Sequence, residues 1–110
     1  MNLQQKSSPY YENIEFNLTN GTSDYDLDVE QATFLAVLGS GNEQPFPTYL
    51  EIRTNQTISV KLNSTSGHKI TIASTDSPYV IVGVKIINLY LSNASGSTAA
   101  VKIRLQNTPY

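Results

Sequence analysis

The sequence predicts an all-β fold: a single small antiparallel β-sandwich or barrel, jelly-roll-like, of about eight short strands. Apolar residues recur at spacing two, the period that puts alternate side chains on one face of a strand. Ser, Thr and Asn make up 33 of the 110 residues while charged residues make up 15%, so the chain is polar chiefly through hydroxyls and amides, as strand-rich proteins are. Turn signals punctuate the apolar runs at the regular spacing of a sandwich or barrel. At 110 residues the chain buries roughly two-thirds of its unfolded surface, enough for one core but not for a second domain or a deep internal pocket.

Ile14, Phe16 and Leu18 set the first alternation. Asn20-Gly21 follows, a dipeptide that accepts the positive φ of a tight turn, and Tyr25, Leu27 and Val29 resume the period, so the pair reads as a hairpin. Ala32 to Leu38 is continuously apolar, compatible with a short helix, and is assigned as a strand covered on both faces. Gly39 to Thr48, with Pro45-Phe46-Pro47, lacks the donors and regular φ values of a ladder and is the longest interior loop.

Strands resume at Tyr49/Leu50/Ile52, Ile58/Val60/Leu62 and Ile70/Ile72, the last two joined by a turn over Asn63 to Gly67. Tyr79 to Val84 is apolar throughout, Ile87/Leu89/Leu91 alternates, and Val101/Ile103/Leu105 alternates after a turn over Asn93 to Thr98. The order suggests a meander. One domain over 14–105 is flanked by an unpatterned N-terminal arm, 1–13, and a short polar tail, 106–110.

Composition narrows the chemistry. No cysteine means no disulfide, zinc ribbon, iron–sulfur ligation or thiol catalysis, and the single histidine, His68, precludes a multi-histidine metal site within one chain. No cofactor is expected. The N-terminus carries no apolar secretion signal and no stretch approaches the ~20 apolar residues of a membrane span, so the expectation is a soluble, unprocessed protein, made in the cytoplasm and not secreted, with no membrane partner. His68 sits beside Gly67 in a turn with no nucleophile elbow in the sequence, no phosphate-binding loop is present, and the small core leaves no cleft for paired carboxylates. No enzyme is expected.

The most unusual local feature is the alternation Asp24, Asp26, Asp28, Glu30, which on a strand puts four carboxylates on one face about 7 Å apart. A solvated face, a contact with basic residues of a neighbour, and a calcium site all remain open, although a straight strand does not converge its oxygens on one ion. Residues 1–55 carry two cations against eight acids, a net −6, while residues 56–110 carry five cations against Asp76, a net +4. Either the halves pair as neighbouring strands, or they occupy different faces and attract further copies. The few cations, without interleaved aromatics, do not suit nucleic acid. Five Asn-x-Ser/Thr triplets, at Asn17, Asn20, Asn55, Asn63 and Asn93, are what this composition produces by itself.

Seven tyrosines, three phenylalanines and no tryptophan supply rigid amphipathic rings suited to interfaces. Tyr10 and Tyr11 lie in the arm and Tyr110 ends the tail. Phe46, between two prolines, either plugs the end of the barrel or is presented to a partner. With Asp24, Asp26, Asp28 and Glu30, these aromatics are the candidate interface residues.

The polar arm, the Thr/Ser/Asn-decorated strands and the closing stretch Ile86-Ile87-Asn88-Leu89-Tyr90-Leu91-Ser92-Asn93-Ala94-Ser95-Gly96-Ser97, then Ala100-Val101-Lys102-Ile103, resemble small virion proteins of tailed bacteriophages, in particular capsid decoration (cement) proteins. The resemblance implies a non-enzymatic structural role in the virion. Such proteins sit as oligomers, often trimers, on the outer capsid surface and bridge subunits of the major capsid protein. The alternative is a small carbohydrate-binding module of a phage tail or baseplate, for which Tyr49, Tyr79 and Tyr90 are the candidate aromatics.

Overall fold

The structure, a computed structural model, describes residues 11–31 and 46–106. Eight strands form two four-stranded antiparallel sheets: β1 (Tyr11–Leu18), β2 (Tyr25–Asp26), β3 (Tyr49–Thr54), β4 (Ile58–Leu62), β5 (Lys69–Ile72), β6 (Tyr79–Val82), β7 (Leu89–Ser92) and β8 (Ala99–Gln106). One helical turn, α1 (Leu27–Gln31), follows β2. The first sheet has the order β1-β8-β3-β6 and the second β2-β7-β4-β5.

This order is a jelly roll. Strand 1 pairs with 8, 2 with 7, 3 with 6 and 4 with 5, as though one long hairpin bent at the β4–β5 turn had been rolled up with its successive pairs shared between two sheets. The predicted meander is corrected: β4 to β5 is the single connection, among the eight strands, that stays within a sheet. Every strand of the acidic half, β1, β2 and β3, lies beside strands of the basic half, β6, β7 or β8, and opposite charges meet across the ladders at β8, where Lys102 stands opposite Glu15 and Arg104 opposite Glu51.

The sheets close on an apolar interior supplied by the alternation. In β8 residues 99, 101, 103 and 105 are buried while Ala100, Lys102, Arg104 and Gln106 point outward. Leu50 and Ile52 of β3 meet Ile58 and Val60 of β4, Ile72 of β5 and Leu89 and Leu91 of β7 in the same cluster. Phe16 of β1 stacks on Tyr25 of β2, ring centroids 5.1 Å apart, joining the edge strands of the two sheets. β1 begins at Tyr11, taking in three residues read as arm, and β8 runs through Gln106.

The predicted hairpin from Ile14 to Val29 does not form. Gly21 has the positive φ expected of the turn, +90°, but the chain then crosses to the other sheet, where β2 pairs with β7. Asp24, at φ +51°, interrupts any extended run, and after two strand residues Asp26 starts a helix instead. Its Oδ1 accepts the Val29 N–H at 3.1 Å, the bond by which a helix N-cap satisfies an orphan donor. Leu27 is buried in the core while Val29 is 72% exposed, so these two do not share the face that a strand would give them. The predicted strand Ala32 to Leu38, and the Gly39–Pro45 part of the predicted loop, lie outside the described residues.

Candidate functional site

The four acids are not a carboxylate ladder. Asp24 is ion-paired to Lys61 of β4, Oδ1 to Nζ 3.2 Å. Asp26 caps α1 and also accepts Asn88 Nδ2 at 2.7 Å. The Asp28 N–H donates to Asn88 Oδ1 at 3.1 Å, and Glu30 is exposed on the helix. Among the described residues no three His, Cys, Asp or Glu side chains group as a metal-ligand set. Tyr10 and Tyr110 lie outside the described residues, and Tyr11 opens β1 opposite Gln106. Phe46 is half-buried against the core, with Lys85 Nζ over its ring 5.4 Å from the centroid. His68 is exposed immediately before β5.

Tyr49, Tyr79 and Tyr90 do not form one platform. Tyr79 packs against the core, Tyr49 stands on the outer side of the first sheet, and Tyr90 stands on the outer side of the second. Tyr49 belongs instead to a polar cluster: its hydroxyl donates to Glu51 Oε1 at 2.9 Å, and Arg53 Nε donates to Glu51 Oε2 at 2.9 Å. The Tyr49 hydrogen bond, with Arg53 second, holds the Glu51 carboxyl below its ordinary pKa, while the bond to Glu51 raises the Tyr49 phenol above its own. On the same outer face Arg104 lies between Asn13 and Glu51 in register.

Two surfaces are left. The first is the edge of the first sheet at β6. Val80 is 45% and Val82 65% exposed, with Val84 and Ile87 exposed beyond the strand. The Gly83 N–H donates to Thr48 O at 2.9 Å, so by antiparallel alternation residues 79 and 81 bond toward β3 and residues 80 and 82 turn their backbone groups to the open edge. The same two residues thus present apolar side chains and ladder groups that are unpaired among the described residues, the combination that edge strands usually avoid.

The second surface is a groove of about 570 Å³ on the outer face of the second sheet. Its floor is read from the register: Ser92, Ser59 and Thr71 lie side by side across β7, β4 and β5, and Lys61 and Lys69 lie side by side one row along. Its wall joins two loops. The Gly21 N–H donates to Asn93 O at 2.7 Å, the Asn93 N–H to Thr22 O at 2.9 Å, and the Asp24 N–H to Ser92 Oγ at 3.0 Å. Asn93 is 1% exposed, and its Nδ2 donates to Leu18 O and to Ser97 O, both at 2.8 Å, while its Oδ1 accepts the Ser95 N–H at 3.0 Å.

Asn93 is one of a set. Asn20 Oδ1 accepts the Gly96 N–H, Asn55 Oδ1 the Ala100 N–H, and Asn63 Oδ1 the Ile87 and Asn88 N–H groups. Four of the five asparagines in Asn-x-Ser/Thr triplets therefore act as clips between distant loops. No protein-family model matches the chain, and no curated protein matches it.

Proposed function

We propose that this chain is a non-enzymatic virion structural protein that decorates and stabilises a phage capsid, bridging capsid subunits as an oligomer, a trimer by preference. The observation that carries this reading is the β6 edge. A strand that offers two valines together with backbone groups unpaired among the described residues is a liability on an isolated molecule and an asset on a lattice, where an extended segment of a neighbouring capsid subunit adds to it as a further strand. A weak contact of this kind becomes strong when repeated over many symmetric copies. The jelly-roll body suits the task, because its core packs both sheets and its asparagine clips hold the loops, leaving little to order on docking.

The test compares three virion preparations: complete, lacking this protein, and carrying a V80K/V82K double variant. Complete virions are expected to survive heat and osmotic shock that inactivate the other two, and the variant is expected to be absent from purified particles. Equal resistance of all three overturns the reading, as does full occupancy of the variant.

A further inference from the structure

We infer that the groove on the outer face of the second sheet binds an acidic saccharide, a sugar chain bearing carboxylate or sulfate groups. The groove lies on the opposite sheet from the β6 edge, so the two activities are separable. Its volume, about 570 Å³, falls within the roughly 300–1,000 Å³ of small-molecule sites.

The floor is chemically suited to a polyol. Neighbouring strands stand about 4.8 Å apart, so the row Ser92, Ser59, Thr71 presents three hydroxyls at intervals comparable to the spread of hydroxyls over a pyranose ring. The Ser59 and Thr71 hydroxyls have no hydrogen-bond partner among the described residues. Ser92 accepts the Asp24 N–H and keeps its own proton for a ligand.

Charge selects the acidic member of the class. Lys61 and Lys69 face each other across β4 and β5, a like-charge cross-strand pair that costs the sheet stability. Asp24 is ion-paired with Lys61 at 3.2 Å, whereas Lys69 has no ion pair among the described residues. Among the described residues the groove floor therefore keeps one uncompensated positive charge, in a protein of net charge −2, and a bound anion would relieve the repulsion. A local rule broken on an otherwise consistent sheet is what a binding site looks like in a folded chain. One cation without an ion pair among the described residues is too few for a nucleic acid, whose affinity is built from many phosphate contacts.

The wall is built before the ligand arrives. Three hydrogen bonds, Gly21 to Asn93, Asn93 to Thr22 and Asp24 to Ser92, tie the two loops together, and the buried Asn93 side chain anchors one of them from beneath. Binding then loses little loop entropy.

The test titrates the full chain with four probes while backbone amide NMR shifts and calorimetry are recorded: an oligouronate, a sulfated oligosaccharide, a neutral oligosaccharide of the same length, and inorganic sulfate. The expected result is saturable binding of at least one acidic saccharide, tenfold or more tighter than the neutral one, weakening with added salt, with shifts at Ser59, Lys69, Thr71 and Ser92. Lys69→Gln should weaken it several-fold and Thr71→Val further, both at exposed positions that leave the fold intact. Equal affinity for the neutral and acidic chains, shifts elsewhere, or no binding at millimolar concentration overturns the inference. Sulfate alone matching the saccharides overturns it too, since the groove would then be an anion site without sugar recognition.

Discussion

Replacing Asn93 by alanine removes a single small side chain and unties three segments at once. Two carbonyls, Leu18 O and Ser97 O, lose a donor at 2.8 Å, and the Ser95 N–H loses its acceptor at 3.0 Å. Each bond is worth about 1 kcal/mol net, so the expected loss is about 3 kcal/mol. That is a large part of the ~5–15 kcal/mol that holds a domain together. At about 4 °C per kcal/mol for a chain of this size, the melting temperature falls by about 12 °C in thermal unfolding followed by circular dichroism. Asn93→Asp is the sharper control, because it keeps the shape and the acceptor for Ser95 but sets a carboxylate against two carbonyl oxygens. At neutral pH it should cost at least as much as alanine. Its folded-state pKa is raised by those oxygens and by burial, so relative to the parent the variant regains stability as pH falls through that raised value, fully so below the ordinary carboxyl pKa. A melting shift under about 4 °C for Asn93→Ala would refute the reasoning, for it would mean that water replaces all three bonds.

Leu27→Ala should cost about 2–5 kcal/mol while Val29→Ala changes stability by less than about 0.5 kcal/mol, a contrast visible in urea unfolding and opposite to what a shared strand face would give. Val82→Lys, at a position 65% exposed, should leave the unfolding midpoint within about 0.5 kcal/mol of the parent yet reduce self-association in concentration-dependent light scattering. Tyr49→Phe deletes the strongest influence on Glu51, so the Glu51 carboxyl should titrate at higher pH in a carbon-detected NMR titration. Because Glu51 has a lowered folded-state pKa, its contribution is present above the ordinary carboxylate value and fades as pH falls through the lowered one. Tyr49 has a raised pKa, so its share is present below about 10 and fades as pH rises beyond it. The variant should lose the alkaline-side dependence of melting and keep only the weaker acid-side dependence that Arg53 maintains.

The strands were legible wherever one face is buried and the other wet. Leu50/Ile52, Ile58/Val60 and Val101/Ile103/Leu105 alternate because their neighbours alternate with them, and the elements fall where the period puts them. The same signal misled at Tyr25, Leu27 and Val29, since a five-residue helix is too short to display its own period; the readable sign was Asp26, three residues ahead of the N–H it caps. Pairing was not legible. Tyr11 meets Gln106 and Tyr25 meets Leu91 across most of the chain, and nothing local in either partner encodes the other. The groove was hidden for the same reason, its floor coming from β4, β5 and β7 and its wall from loops far apart in sequence. The asparagine triplets were visible but looked like a by-product of composition, because the carbonyl or amide that each clips lies on another loop.

The position of β8 in the first sheet governs when this chain can fold at all. β8 is the last of the eight strands to leave the ribosome, yet it is an inner strand of its sheet, bonded along one side to β1 and along the other to β3. Until it emerges, β1 has no ladder partner and β3 has only one among the described residues, so the nascent chain holds both strands in waiting with their apolar faces uncovered. The β4–β5 hairpin is the piece with a local partner ready, and closing the rest requires contacts of the greatest sequence separation. Folding is therefore completed only after synthesis of the whole jelly roll, and a translation pause before Ala99 would leave an aggregation-prone intermediate rather than a half-built domain.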